Sequence, residues 1–321
     1  MASSIVVTGS YVQDLTFMLP EFPTAGQTLI GEFKTGPGGK GSNQAVAAAR
    51  TGVRTAFIGA TGNDAFAQVA KDFHKGEGID SRLAPQADQA TGTAAILVND
   101  RGENEIVVAL GANNFLSPED VPESLVAEAQ ILVSQLECNL EAAEHALKLA
   151  RKHEVRTLLN PAPMRDDFPP SMLNSVDILV PNETEFAHLI RARFPEKHGS
   201  FEEASIQSLT SEQLHHLCRD FGVPTFIITL GGNGCFVSTE DRYFEIPSIT
   251  GIEVVDTTGA GDAFVGGLSS GLVQFDGDIE KAVRYASVVA GLSVTKFGTA
   301  PAMPSQAEIE KEIQTQGLSF K

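Results

Sequence analysis

The residues of this chain best suited to chemistry are Asp256-Thr257-Thr258-Gly259-Ala260-Gly261-Asp262, which lead into the small, apolar run Ala263-Phe264-Val265-Gly266-Gly267-Leu268. Small residues at a helix start leave backbone N–H groups open to an anion, and an acid in the first turn can take a proton beside it. An anion hole next to a base suits phosphoryl transfer. The same spacing also describes a Gly-rich strand-to-helix turn with an Asp near the cap, so its meaning depends on what accompanies it.

Four other stretches carry polar groups worth placing. Gly36-Pro37-Gly38-Gly39-Lys40-Gly41-Ser42-Asn43 opens a helix but fails the Walker A pattern, because Gly41 stands where Ser or Thr should follow Gly-Lys and Lys34 replaces the first Gly. It also lacks the βαβ setting and following acid of a dinucleotide fingerprint. What remains is either a plain helix start or a tight turn that lets a small polar ligand reach backbone N–H groups, with Lys40 and Asn43 as side-chain donors. In Pro181-Asn182-Glu183-Thr184-Glu185, Asn182 can orient a phosphate oxygen and Glu185 can hold the waters of Mg²⁺, or the two can form a capping box. Thr229-Leu230-Gly231-Gly232-Asn233-Gly234 can lay bare backbone against an adenine or a phosphate, or simply turn a hairpin. Asp14 and Glu137 each follow a strand-like run, which puts two carboxylates at one sheet edge, suited to bidentate hydrogen bonding of a polyol.

The elements that must position these groups are legible as an alternation. Ile5-Val6-Val7, Thr55-Ala56-Phe57-Ile58, Ile131-Leu132-Val133, Thr157-Leu158-Leu159, Ile178-Leu179-Val180 and Phe226-Ile227-Ile228 read as buried parallel strands. Helical segments 42–50, 65–75, 140–153, 183–190 and 211–221 separate most of them, which is the pattern of a doubly wound α/β sheet. Segments 15–35 and 93–110 show period-2 or hairpin character instead, and are expected to pair as a small β lid over the ligand edge. An antiparallel pair, 235–238 and 242–246, and three helices follow; segment 191–207 reads as a surface excursion without a role.

Composition narrows the ligand classes. A formal net charge of -18 repels nucleic acid and anionic membranes, so an anionic ligand has to be held by local devices such as helix N-termini, a lone Lys or a divalent metal. No apolar run of membrane-spanning length and no signal-peptide pattern appears, so the chain reads as soluble and cytoplasmic. Cys138, Cys218 and Cys235 share no CxxC spacing and suggest reduced, buried thiols. His215 and His216 read as solvated.

In their order, Gly38 to Ala45, Asn160-Pro161-Ala162-Pro163, Pro181 to Glu185, Thr229-Leu230-Gly231 and Asp256 to Asp262 resemble the ribokinase (PfkB) family of carbohydrate kinases over essentially the whole chain. The resemblance implies one α/β domain, 1–321, built as a three-layer αβα sandwich with a mostly parallel central sheet and a β lid that makes a homodimer contact. It implies Asp262 as the base that deprotonates a sugar hydroxyl, with Gly259, Ala260 and Gly261 as the anion hole. Asp14, Gly39, Lys40, Asn43 and Glu137 would bind the sugar, and Asn182 and Glu185 would serve phosphate and Mg²⁺. Thr229, Gly231, Gly232 and Gly234 would serve ATP, with Ser287 near the nucleotide base. A monovalent cation, usually K⁺, would sit at Asp256 and Thr258 with main-chain oxygens of Ser293, Lys296 and Gly298; Ala302 stands where relatives often carry a hydroxyl. Ribokinases usually carry Asn two residues before the acid in Gly9-Ser10-Tyr11-Val12-Gln13-Asp14, and here Val12 sits there. An unpaired buried sugar hydroxyl would cost ~1–3 kcal/mol. Similar deoxyribokinases place an apolar residue at that point and carry a run like Phe115-Leu116-Ser117-Pro118-Glu119-Asp120. Ribose and 2-deoxyribose therefore stand level as expected substrates. Another sugar or a nucleoside, a non-catalytic sugar or nucleotide sensor, and a nicotinamide dehydrogenase are the other readings.

Overall fold

The computed structural model describes residues 3–320. Its strands, in chain order, are β1 Ile5–Thr8, β2 Val12–Leu19, β3 Glu32–Gly38, β4 Thr55–Thr61, β5 Asp80–Pro85, β6 Gly92–Asn99, β7 Asn104–Ala109, β8 Ile131–Ser134, β9 Arg156–Leu159, β10 Ile178–Leu179, β11 Thr225–Thr229, β12 Cys235–Ser238 and β13 Tyr243–Ile246. The helices are α1 Lys40–Arg50, α2 Ala65–Gly76, α3 Glu123–Ala127, α4 Leu140–Lys152, α5 Glu183–Arg193, α6 Pro195–His198, α7 Glu203–Ile206, α8 Ser211–Arg219, α9 Ala260–Gln274, α10 Ile279–Ser293 and α11 Gln306–Thr315.

Nine strands form one sheet in the order β13-β12-β11-β10-β9-β8-β1-β4-β5, parallel from β11 to β5 and antiparallel at β12 and β13. All six apolar runs lie in it. Successive strands step outward from β1 through β4 to β5, after which the chain returns to β8 on the other side of β1. The order reverses there, and ligands of open α/β sheets bind beyond the strand ends at such a reversal. Odd-numbered β1 and β8 side chains (Ile5, Val7, Ile131, Val133) pack under α1, α9, α10 and α11, while Val6 and Leu132 pack under α4, α5 and α8. This is the expected three-layer arrangement, with all three cysteines buried and unbridged.

The lid is a separate four-stranded sheet, β3-β2-β6-β7, which joins the two period-2 segments as expected. Its strands run further inward than the alternation indicated. β2 begins at Val12 and β3 ends at Gly38, so Asp14 is part of a lid strand rather than a residue trailing β1. β5 escaped detection because an edge strand reading Asp-Ser-Arg-Leu-Ala-Pro is largely exposed and carries no continuous apolar run. Segment 191–207 folds into two short helices, α6 and α7, and buries Phe201 against Phe186.

Two glycines decide how closely α1 meets its neighbours. Gly39, at φ +88°, turns the chain from β3 into α1 in a conformation that side chains disfavour. Gly266 lets α9 lie against α1: a Cβ there would fall 2.5 Å from Ala47 Cβ and 2.7 Å from the Gln44 carbonyl oxygen. Gly266→Ala is therefore expected to destabilise the fold by about 1–3 kcal/mol through overpacking. Urea unfolding measures it, and a change within about 0.5 kcal/mol would mean that the two helices separate freely.

Candidate active site

The first turn of α1 and the first turn of α9 bring the polar groups together. Residues 40, 43 and 44 share one face of α1 at the i, i+3, i+4 spacing, and that face meets Asp262, the third residue of α9. Asp262 is only 6% exposed. Its Oδ2 accepts from Asn43 Nδ2 and its Oδ1 from Gln44 Nε2, each at 3.0 Å. No side-chain ion pair reaches it among the described residues, so its direct side-chain hydrogen-bond partners are neutral amides. Asn43 Oδ1 is buried without a protein partner, an acceptor left for a ligand hydroxyl.

Asp262 closes the floor of a cleft lined also by Lys40, Asn160, Ala162, Val180, Asn182, Glu185, Thr229, Gly259, Gly261 and Val265. Gly259, at φ +80°, caps α9 without a side chain. Its N–H and that of Gly261 donate to no protein acceptor among the described residues, and both residues line the cleft. Ala260 departs from the expected hole: its N–H closes a turn onto the Thr257 carbonyl at 3.2 Å, because the chain must bend there to enter α9.

Glu137 lies behind Lys40, accepting from the Lys40 N–H at 2.9 Å and from Ser10 Oγ at 2.6 Å. Asp14 lies across from it, with Thr299 Oγ1 at 3.3 Å. A Cβ on Gly38 would collide with the Asp14 carboxylate, so that glycine makes room for it. The Tyr11 hydroxyl donates to Gln13 Oε1 at 2.8 Å on one face of β2, which leaves Val12 and Asp14 sharing the other. Val12 is buried there. Asn182 and Glu185 do form the capping box of α5, with Asn182 Oδ1 accepting from the Glu185 N–H at 2.8 Å and Glu185 Oε2 from the Asn182 N–H at 2.9 Å. The box still lines the cleft, and Asn182 bridges to Thr229 at the end of β11. Gly231 and Gly232 form an exposed turn beside it, and Gly234 leaves it at φ +88°.

The candidate cation loop is also assembled. Asp256 Oδ1 accepts from the Thr258 N–H at 2.9 Å and its hydroxyl at 2.7 Å, and Oδ2 accepts from the Gly298 N–H at 3.0 Å. The half-buried carboxylate has no cationic side chain against it among the described residues, which fits a monovalent cation. Lys296 and Ser293 turn their side chains to Glu308 Oε1 and to the Ala290 carbonyl, and the loop's main-chain link to this helix end is to the Val294 carbonyl, which accepts from the Val255 and Asp256 N–H groups. The Ser287 hydroxyl donates to the Val283 carbonyl at 3.1 Å, and Ser287 does not line the cleft.

Sequence reasoning passed over three residues that the structure places here. Gln44 and Asn160 lay inside quoted motifs, and the helical spacing 40-43-44 and the strand end after β9 were available signals. Thr299 had none, since only the folded chain brings it to Asp14.

Four carboxylates and one ammonium crowd this edge, and the charges show it. Burial raises Glu185, helped by Asp262 and opposed by the Asn182 N–H and Lys40. Burial works against the charge of Lys40, but Asp262, Glu137 and Glu185 outweigh it and raise its value, so it stays cationic. Among the described residues no group of three His, Cys, Asp or Glu could cage a metal.

A buried carboxylate beside open helix-terminal amides, a lysine and a second carboxylate is compatible with phosphoryl transfer on several folds. The whole-chain comparison decides among them: residues 2–306 match the pfkB family carbohydrate kinase model. The chain belongs to the pfkB family of carbohydrate kinases. This kinase is 35% identical over 312 residues to a ribokinase of Haemophilus influenzae, covering 96% of this chain and 97% of that one. It is 36% identical over 305 residues to a deoxyribokinase of Salmonella typhi, covering 94% and 95% respectively. Among solved structures, Giardia lamblia ribokinase superposes with a TM-score of 0.87 at 29% identity, covering 98% of this chain and 99% of that one. Arabidopsis thaliana ribokinase complexed with ribose and ATP gives 0.84 at 29% identity, covering 97% and 98%. Phosphotransfer to an alcohol is the activity, which removes the dehydrogenase and sensor readings. No helix among the described residues is long and apolar enough to cross a membrane.

The kinase's acid cluster has a measurable consequence at Asp14. Burial pushes its carboxyl up to about 6, against the Thr299 hydrogen bond and with the help of Glu137 and Asp262. Its folded value lies above the ordinary carboxylate value of about 4, so its stabilising contribution is present below about pH 4 and lost as pH rises through about 6. Asp14→Asn should therefore raise the melting temperature of the ligand-free kinase above pH 6, with the gain shrinking as pH falls toward 4. A melting-temperature difference that stays constant from pH 4 to 8 would contradict this.

Proposed function

We propose that this kinase transfers the γ-phosphoryl group of ATP to the primary 5-hydroxyl of ribose or 2-deoxyribose. The observation that carries the reading is the placement of Asp262, a carboxylate held by neutral amides at the floor of a cleft beside the open N–H groups of Gly259 and Gly261. Asp14, Asn43, Lys40, Gly39 and Glu137 hold the sugar, with the vacant Asn43 Oδ1 accepting from one hydroxyl. The 5-hydroxyl then faces Asp262, which takes its proton as the oxygen attacks the γ-phosphorus in line. Charge on the transferring group falls on the Gly259 and Gly261 amides and the α9 dipole. Thr229, Gly231, Gly232 and Gly234 supply the nucleotide with an unobstructed turn, and Asn182 orients a phosphate oxygen. Glu185 would hold Mg²⁺ through water, and the ion would supply positive charge for the phosphates in a cleft whose lining carries two carboxylates and one lysine. A monovalent cation such as K⁺ at Asp256 and the main-chain oxygens near Gly298 would strengthen the positive field at the start of α9.

Val12 bears on the choice of sugar. It lies on the Asp14 face of β2 and offers no hydrogen bond, so a sugar lacking one ring hydroxyl loses less there. What supports a lid-mediated homodimer is the lid face opposite Asp14, which exposes Phe17, Phe33 and Val107, side chains that water disfavours.

ADP release with ribose and with 2-deoxyribose, each with and without K⁺, tests the reading. Saturable turnover with either sugar is expected, 2-deoxyribose at least matching ribose in kcat/KM, and K⁺ raising kcat. Turnover with neither sugar removes the substrate assignment, and a strong ribose preference removes the inference from Val12. For the dimer, Val107→Asp should shift the sedimentation coefficient from dimer to monomer; a wild-type chain that sediments as a monomer overturns it.

A further inference from the structure

Beside Asp262 a line of buried amides, running from Asn160 at the cleft wall to Gln135 outside it, meets the carboxylate through Gln44. The line starts at the Val180 main-chain carbonyl, which can only accept. That fixes Asn160: its Nδ2 donates to Val180 O at 2.8 Å, so its Oδ1 faces Gln44. Gln44 Nε2 must then be the group between Asn160 Oδ1, at 3.1 Å, and Asp262 Oδ1, at 3.0 Å, with one hydrogen for each. Its Oε1 is left facing Gln135, whose Nε2 donates to it at 2.6 Å. Turning the Gln44 amide over would set its oxygen against two other oxygens and its NH₂ against the NH₂ of Gln135. The line also leaves Gln135 Oε1 buried without a protein partner, an arrangement that an apolar core would avoid.

We infer that Gln44 is a positioning residue for the catalytic carboxylate, oriented in one direction only by Gln135 and by the Asn160–Val180 pair. It is fully buried, does not line the cleft, and touches Asp262 on the oxygen opposite the one held by Asn43. Asn43 and Gln44 together fix the plane of the carboxylate, so that its remaining lone pairs point at the sugar hydroxyl. This inference rests on the reading of Asp262 as the base, and it predicts a defect in turnover rather than in binding.

The test uses the full chain with ATP, Mg²⁺ and the better of the two sugars. Gln44→Met keeps the side-chain length and removes the donor; kcat is expected to fall by about tenfold or more while both KM values stay within about threefold. Gln135→Met, which touches neither Asp262 nor the cleft, should lower kcat by a smaller factor with the same KM pattern, and it carries the test alone if Gln44→Met does not fold. Because Gln44 acts through Asp262, adding Gln44→Met to Asp262→Asn should cost nothing further. Wild-type kcat in Gln44→Met, a KM rise that matches the loss, or a multiplicative loss in the Asp262→Asn background overturns the inference while leaving the base in place. Near-normal turnover in Asp262→Asn itself overturns the base reading instead.

Discussion

A carboxylate that is almost fully buried and must have its oxygens satisfied there is the constraint on which this site depends. Asp262 meets it with two neutral amides from α1, Asn43 and Gln44, rather than with a cation. Each amide holds one carboxylate oxygen, so the pair fixes the plane of the group. They reach only because α1 presents alanines toward α9 and because Gly266 has no side chain where the helices cross.

The lid and the site are joined by the same logic of shared elements. β2 carries Asp14 near its start and runs outward into the lid, and β3 ends at Gly38, one residue before the glycine that starts α1. The lid strands are thus continuous with both Asp14 and the helix whose Asn43 and Gln44 hold Asp262. Thr299, next to Gly298 of the Asp256 loop, touches Asp14 as well.

Much of this was legible along the chain, for particular reasons. Parallel strands buried on both faces show as short apolar runs, so all six were visible, whereas β5 at the edge is half exposed and was not. The lid segments showed their period of two, but no local signal marks where a strand of one sheet ends and a strand of another begins. Asp14 was therefore placed at the end of β1 instead of within β2. Asn182 and Glu185 carry the signature of a capping box and are one, yet the box also faces the cleft, so its two descriptions hold together.

The sequence by itself determined which groups are available: an acid in the first turn of a glycine-capped helix, a Lys-Asn face on another helix, and single carboxylates near strand ends. Local spacing is enough for that, because helical and strand periodicity is a short-range property of the backbone. Only the tertiary structure decided which of these groups satisfy one another. The pairing of Gln44 with Asp262, Asn160 and Gln135 spans up to 218 residues of chain, and the contact of Thr299 with Asp14 spans 285. Buried hydrogen bonds of that kind depend on where helices cross and strands end, which no window of sequence contains.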